Sequence, residues 1–289
     1  MKIAVVGASG VLGRALIPLL IDAGHSVRAL VRSAEKTRSL FGEQVEIVEC
    51  DMLAADTAGR LPGLLEACDV VTHIATSIPN DPTAPDAWAA NTKLRTQGVH
   101  ALLDAALRVG VDRYIQQSIS MAYPDRGDAW IMEDAPLDTS PARAGICGPV
   151  IEMERMVKAV PPARMACCIL RGGAFVGPGT FQERTLEDLR AGKALVPCDG
   201  HNFLSLIHVA DMASAVVAAL RAPAASTFNI VAEPLSEADY LDRLAAAIGA
   251  VRPGRDTGAA CPPSWRCSNR AAADVLGWLP VHSILGDPQ

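Results

Sequence analysis

Three glycines spaced by three, Gly7, Gly10 and Gly13, separate a short apolar run ending in Val5-Val6 from a helical pattern that starts at Val11. That order reads as a strand, a tight turn and a helix whose first N–H groups face the turn. Unpaired N–H groups and the helix dipole make such a terminus an anion site, so the spacing predicts a dinucleotide pyrophosphate there. Gly7 permits the turn, Gly10 lets the backbone approach phosphate, and Gly13 lets the helix close on the strand. Ser9, Val11 and Leu12 complete the cradle. The second strand ends Val31-Arg32-Ser33, with no carboxylate before Glu35. An acid there would hold ribose hydroxyls, whereas Arg32 offers a forked, charge-assisted contact to a 2′-phosphate. The expectation is NADP(H) in preference to NAD(H). Asp51 and Met52, after the third strand, fall where adenine would lie. Ala75 and Thr76, after the fourth, leave room for pyrophosphate and ribose.

Proton transfer requires a hydroxyl or titratable group beside that cradle. Ser118, Ser120 and Tyr123 cluster at the end of the fifth strand. A tyrosine of ordinary pKa is protonated at neutral pH and can act as a general acid; packing in a loop is the competing role. Cys147 offers a thiol, and His201 and His208 offer imidazoles, each with a structural alternative. Asp128, Glu133 and Asp134 read as a solvated charge run on a covering loop. The eight cysteines form no C-x-x-C and the six histidines are scattered, so no metal site is expected. The cysteines read as reduced and mostly structural, with Cys261 and Cys267 near enough in sequence to bridge a loop.

These groups must be held by alternating strands and helices. A first helix over 11–23 carries Leu12, Leu16, Leu19 and Leu20 toward a sheet, with Pro18 kinking it and Gly24 ending it. Strands follow over 25–31, 45–49 and 69–74, then a Pro- and Asp-rich loop over 78–85 and a long helix over 87–109. A fifth strand over 113–117, a polar loop over 123–143, a helix over 152–160 and a sixth strand over 165–170 come next. Beyond Gly172-Gly173 the pattern is less regular, with strands over 204–207 and 227–231, helices over 209–220 and 237–248, and a loop over 252–265. Strand–helix alternation marks βαβ units. The fold expected is α/β: a Rossmann-type doubly wound parallel sheet over 1–170 and a smaller C-terminal substrate region over 171–289, with room for segments to interleave.

Half of the 289 residues are hydrophobic, enough for a large core. The formal net charge of −6 argues against a nucleic-acid binder. No apolar run approaches the ~20 residues that span a bilayer, so no membrane partner is expected. The first residues lead straight into a strand without a signal-peptide pattern, and a cytoplasmic location is expected. A small-molecule substrate is the expected partner, with a homodimer left open.

The chain resembles the extended or atypical short-chain dehydrogenase/reductases of the NAD-dependent epimerase/dehydratase family over nearly its whole length. Residues 7–13 match the nucleotide loop, His73-Ile74-Ala75 the end of the fourth strand, and Asn91 the helix asparagine. Residues 170–179, which include Ala174 and Phe175, resemble the segment bordering the nicotinamide. Residues 205–213 resemble a strand–helix junction of the substrate region, and 268–280 the family's ending. The family's proton chemistry rests on Tyr-x-x-x-Lys with a nearby Ser or Thr. None of Tyr114, Tyr123 and Tyr240 has lysine four residues later. Setting Glu154-Arg155 on the family's acidic-basic pair places Ile146 at the tyrosine and Val150 at the lysine, with Pro149 between; Ser118 keeps one family serine and Ile119 falls at the catalytic hydroxyl. The resemblance implies an NADP(H)-dependent oxidoreductase with a non-standard proton donor. An apolar pocket around Ile146, Val150, Phe175 and Met121 would take a small or medium, largely uncharged organic substrate. A non-redox isomerase, cyclase or dehydratase, and an inactive NADP(H)-binding sensor, are the alternatives.

Overall fold

The computed structural model describes residues 1–79, 81, 84 and 86–286. The loop expected over 78–85 therefore lies partly outside the described residues. The chain separates into two compact units, each made of several segments. The first comprises 1–118, 139–170 and 216–227; the second comprises 119–138, 171–215 and 228–289.

A seven-stranded sheet organises the first unit. β1 (Lys2–Val6), β2 (Ser26–Val31), β3 (Glu46–Glu49), β4 (Val70–His73) and β5 (Arg113–Ile119) are followed by strands Ala166–Gly172 and Ser226–Ile230. From one edge the order is Ser226–Ile230, Ala166–Gly172, β5, β4, β1, β2, β3. The pairs β1–β2, β2–β3, β1–β4 and β4–β5 are parallel. This is a Rossmann-like α/β fold, and the order reverses between β1 and β4, the switch point where such sheets bind ligands. Ile3, Ala4, Val5 and Val6 are buried without alternation, as expected for a strand covered on both faces.

The helices are α1 (Val11–Asp22), α2 (Ala34–Phe41), α3 (Thr57–Leu65), α4 (Ala89–Lys93), α5 (Val99–Val109) and α6 (Ala144–Lys158). α1 passes through Pro18 without interruption and buries Leu12, Gly13, Leu16, Ile17 and Leu20. Leu19 was expected on that face; it is 36% exposed, since it lies roughly a quarter turn from the centre of the stripe. The long helix expected over 87–109 is α4 and α5 joined by a π-helical turn, Leu94–Gly98. Such turns are frequent at functional sites.

In the second unit, Ala174–Val176 pairs in parallel with Leu206–His208, and Phe203–Leu204 pairs antiparallel with Leu235–Ser236. Leu206–His208 runs directly into the helix Val209–Ala219. Part of the loop expected over 252–265 is the strand Gly254–Asp256, paired with Leu195–Pro197. Helices Gln182–Arg190 and Glu237–Ala247 pack Leu189, Tyr240, Leu241 and Leu244 around Val176, Val196 and Leu206. A disulfide joins Cys198 to Cys261. The expectation of reduced cysteines is corrected there, as is the pairing of Cys261 with Cys267: Cys267 is buried in a separate cluster with Tyr123, Ile131 and Val231. Among the described residues no helix is long and apolar enough to cross a membrane, and no group of three or more His, Cys, Asp and Glu could hold a metal ion.

Candidate functional site

The glycine loop after β1 has the geometry of a close phosphate cradle. Gly7 has φ +99°, and a Cβ there would lie 2.7 Å from Ala75 Cα, at the end of the neighbouring β4. A Cβ on Gly13 would lie 2.1 Å from the Ala8 carbonyl oxygen. Gly10 caps α1 without a side chain, and its N–H donates to Gly7 O at 3.0 Å. The first turn of α1 carries no acidic residue and no side-chain cap, so its N–H groups and dipole remain available to an anion. Ser9 and Val11 are half-buried and Leu12 is buried beneath the loop. These residues fit a dinucleotide, because any side chain at Gly7 or Gly13 would meet backbone rather than space.

Around that loop, Ala75 is half-buried and Thr76 exposed. Asn91, on α4, accepts from Ser77 N at 3.1 Å and so fixes the chain leaving β4. Arg32 is exposed just past the end of β2. Glu49 reaches the same place from β3: its Oε1 accepts from Ala34 N, the first residue of α2, at 2.9 Å. A carboxylate thus covers the first N–H of α2. Asp51 is exposed, its Oδ1 accepting from Leu53 N, and Met52 is buried.

The three hydroxyls proposed from sequence for proton transfer are all fully buried. Ser118 donates to Glu154 Oε1 at 2.7 Å, and Lys158 pairs with the other carboxylate oxygen at 3.0 Å. Ser120 Oγ has no partner among the described residues. The Tyr123 hydroxyl is engaged on both sides: it donates to Asn229 Oδ1 at 2.9 Å and accepts from Arg171 Nη1 at 2.5 Å. Burial pushes its pKa well up, with Arg171 only partly opposing. Cys147 is buried on α6, Ile146 is 48% exposed and Val150 is buried. Glu133 is not a freely solvated charge: its Oε1 accepts from Asn229 N at 2.8 Å, and burial raises its pKa. Asp128 and Asp134 are exposed as expected.

Sequence reasoning passed over a buried polar group in the first unit. His73, on β4, shares Gln116 Oε1 with Tyr114, at 3.1 and 2.9 Å. Arg95, in the π-turn, is 8% exposed, and its Nε and Nη1 find no partner among the described residues. Burial lowers the Arg95 pKa to about 10, with Glu154 opposing. The available signal was an arginine among the apolar positions Leu94, Val99, Leu102 and Leu103.

In the second unit, Ala174 lines a cavity of about 150 Å³ that Met121, Phe181, Leu204, Tyr240 and Trp265 also line. Phe175, its neighbour on the strand, is half-buried. His201 is exposed. His208 Nδ1 accepts from Ala210 N at 3.2 Å, and its ring stacks on His282, which pairs with Asp211 at 2.7 Å.

Residues 3–231 match the model of the NAD dependent epimerase/dehydratase family. A 3-diazoavenalumate denitrifying reductase from Streptomyces sp is 34% identical, over 98% of this chain and 97% of that protein. The photosystem II assembly factor Ycf39 of Guillardia theta is 29% identical over 119 residues, 41% of this chain and 35% of that one. Among solved structures, the UDP-glucuronic acid 4-epimerase of Bacillus cereus, in complex with UDP-glucuronic acid and NAD, superposes with a TM-score of 0.82. It is 20% identical, with 99% of this chain and 96% of that one covered. The dTDP-glucose 4,6-dehydratase DesIV of Streptomyces venezuelae, with NAD bound, gives 0.79 at 19% identity, covering 98% and 93%. The switch-point cradle and the family match agree: this chain belongs to the NAD-dependent epimerase/dehydratase family and is an enzyme of the NAD(P)-dependent oxidoreductase-like kind.

Proposed function

We propose that the enzyme is an NADP(H)-dependent reductase of a small or medium organic diazo compound, acting without a proton from a side chain. The observation that carries this reading is that no tyrosine in the sequence has lysine four residues later; setting Glu154-Arg155 on the family's acidic-basic pair puts Ile146 and Val150 at those positions. The hydroxyls named from sequence do not replace the pair: Ser118 is committed to Glu154, Tyr123 to Asn229 and Arg171, and Ser120, fully buried, has no partner among the described residues to pass a proton. A carbonyl that accepts hydride becomes an alkoxide and calls for an acid. A diazonium group does not.

Gly7, Gly10 and Gly13, with Ser9, Val11 and Leu12, would hold the pyrophosphate, and Ala75 and Thr76 would border it. Asp51 and Met52 would meet the adenine, while Ala174 and Phe175 would border the nicotinamide. Arg32 would pair with the 2′-phosphate, in competition with Glu49 for the same helix end. A reduced nicotinamide bound there supplies hydride, and with an arenediazonium ion the balance is arene, dinitrogen and oxidised nicotinamide, with no net proton taken or released. The Streptomyces relative, a denitrifying reductase of a diazo compound matched over nearly its full length, supports this substrate class.

The test is turnover of NADPH with a stable benzenediazonium salt, corrected for the protein-free rate, with released dinitrogen counted. Dinitrogen and oxidised NADPH should appear one for one. Arg32→Ala should raise KM for NADPH about tenfold, the loss of one charge-assisted contact, and leave KM for NADH nearly unchanged. No enzyme-dependent dinitrogen would refute the substrate class, and equal losses for both nucleotides would refute the role of Arg32.

A further inference from the structure

The cavity in the second unit has walls whose polar atoms are nearly all engaged elsewhere. Trp265 Nε1 donates to Tyr123 O at 2.9 Å, so the indole offers its ring and not its N–H. The Tyr240 hydroxyl accepts from Gln182 Nε2 at 2.9 Å, and Gln182 is itself anchored on Ile284 O. Ser205 Oγ donates to Trp265 O at 2.6 Å and accepts from Cys267 N at 3.2 Å. Phe181, Leu204, Leu206 and Leu241 complete an apolar wall. Among the described residues one charged side chain lines the cavity: Glu237, the first residue of the helix Glu237–Ala247. Its Oε2 accepts from Asn202 Nδ2 at 2.9 Å.

We infer that this cavity binds a single aromatic ring of the substrate, neutral or cationic, and rejects rings with an anionic group attached directly to the ring. The inference rests on the reductase reading above for the identity of the substrate site. Size supports one ring: the volume is about 150 Å³, and an apolar cavity of that volume admits benzene. Trp265, Tyr240 and Phe181 line it with aromatic rings, whose faces attract both aromatic edges and cations. Among the described residues no arginine or lysine lines the cavity to receive a carboxylate or phosphate, and Glu237 repels either. The same walls select against the uridine diphosphate of a nucleotide sugar on charge and on size. An arenediazonium ion, a flat cation on one ring, matches every one of these features.

The experiment measures binding, without turnover, to full-length protein saturated with NADP⁺. Benzyl alcohol, benzylammonium and benzoate share a ring and differ in charge, and their dissociation constants can be read by ligand-observed NMR or calorimetry. Benzylammonium should bind about tenfold tighter than benzoate, a difference one nearby carboxylate can supply, with benzyl alcohol between them. Glu237→Gln keeps an acceptor for Asn202 and should bring the three constants together. Leu204→Trp, which fills the cavity from a residue with no cofactor role, should weaken all three, while the NADP⁺-induced rise in Tm reports that the chain is folded. Benzoate binding as well as benzylammonium, no binding of any ring, or a preference unchanged in Glu237→Gln would each overturn the inference. Selective ring binding in a protein that releases no dinitrogen would overturn the reductase reading alone.

Discussion

His73 shows how a single buried side chain can be given a state from its neighbours. Gln116 Nε2 donates to Gln117 O at 2.8 Å, so its Oε1 is the acceptor for both Tyr114 and His73. His73 Nδ1 therefore carries the hydrogen and the ring is neutral. Burial depresses its pKa to about 4; the Arg95 charge adds to that and the Gln116 bond opposes it. The sign of the linkage follows. Between pH 4 and 6.5 the unfolded chain binds a proton that the folded chain refuses, so folding weakens as pH falls through this window. At ~1.4 kcal/mol per pKa unit the group accounts for about 3 kcal/mol between pH 7 and 4. His73→Asn, which keeps a donor near Nδ1, should show a shallower decline. Urea unfolding of both proteins at pH 7, 5.5 and 4.5 checks it, the informative quantity being the difference between the two curves. Parallel curves would mean that His73 titrates normally in the folded protein.

The turn joining β1 to α1 makes a sharper demand than any other element. A methyl on Gly13 would meet the Ala8 oxygen at 2.1 Å and the Ala8 carbonyl carbon at 2.4 Å, both backbone, so the helix would have to leave the strand. Gly13→Ala should cost at least about 2 kcal/mol and remove the stabilisation by cofactor. Gly24→Ala, at the other end of α1, meets nothing within 4 Å and is strained only by φ +78°. It should cost about 1 kcal/mol and leave cofactor binding intact. Thermal unfolding with and without NADPH compares them; equal behaviour of the two variants would show that the close approach at Gly13 does not matter. This element was readable from sequence because its requirement is local, three glycines between a strand and a helix. The central sheet was readable for the same reason, through alternating apolar runs. What could not be read are bonds between distant positions. Tyr123 is held by partners 48 and 106 residues away, Arg171 and Asn229, and nothing near Tyr123 announces them. The π-turn that places Arg95 is likewise invisible to a 3.6-residue period. Leu19 was misplaced for a smaller reason, since four leucines in α1 do not all share one face.

For the molecule as a whole, the cysteines supply the most direct check, because eight thiols and a disulfide are counted chemically. Cys198 and Cys261 are bridged, 63 residues apart, and six cysteines remain as buried thiols. Burial raises the Cys167 pKa to about 12 and those of Cys168 and Cys267 to about 11, so little reactive thiolate exists at these sites at neutral pH. The bridge joins two segments of the second unit and closes a long loop, and chain-entropy arguments assign a loop of this length about 4 kcal/mol, before any strain. Cys198 sits at φ +52°, a left-handed conformation that a residue with a Cβ resists, which offsets part of that gain. Protein purified without reductant should be nearly silent to a thiol reagent when native. In denaturant it should show six thiols, and after reduction all eight. Reductant, or Cys198→Ser with Cys261→Ser, should lower Tm by several degrees, whereas Cys267→Ser should leave the count difference of two unchanged. Eight thiols in denaturant before reduction would show that the bridge does not form. A bridge joining Cys267 in non-reducing peptide maps would return the pairing to the one suggested by sequence proximity.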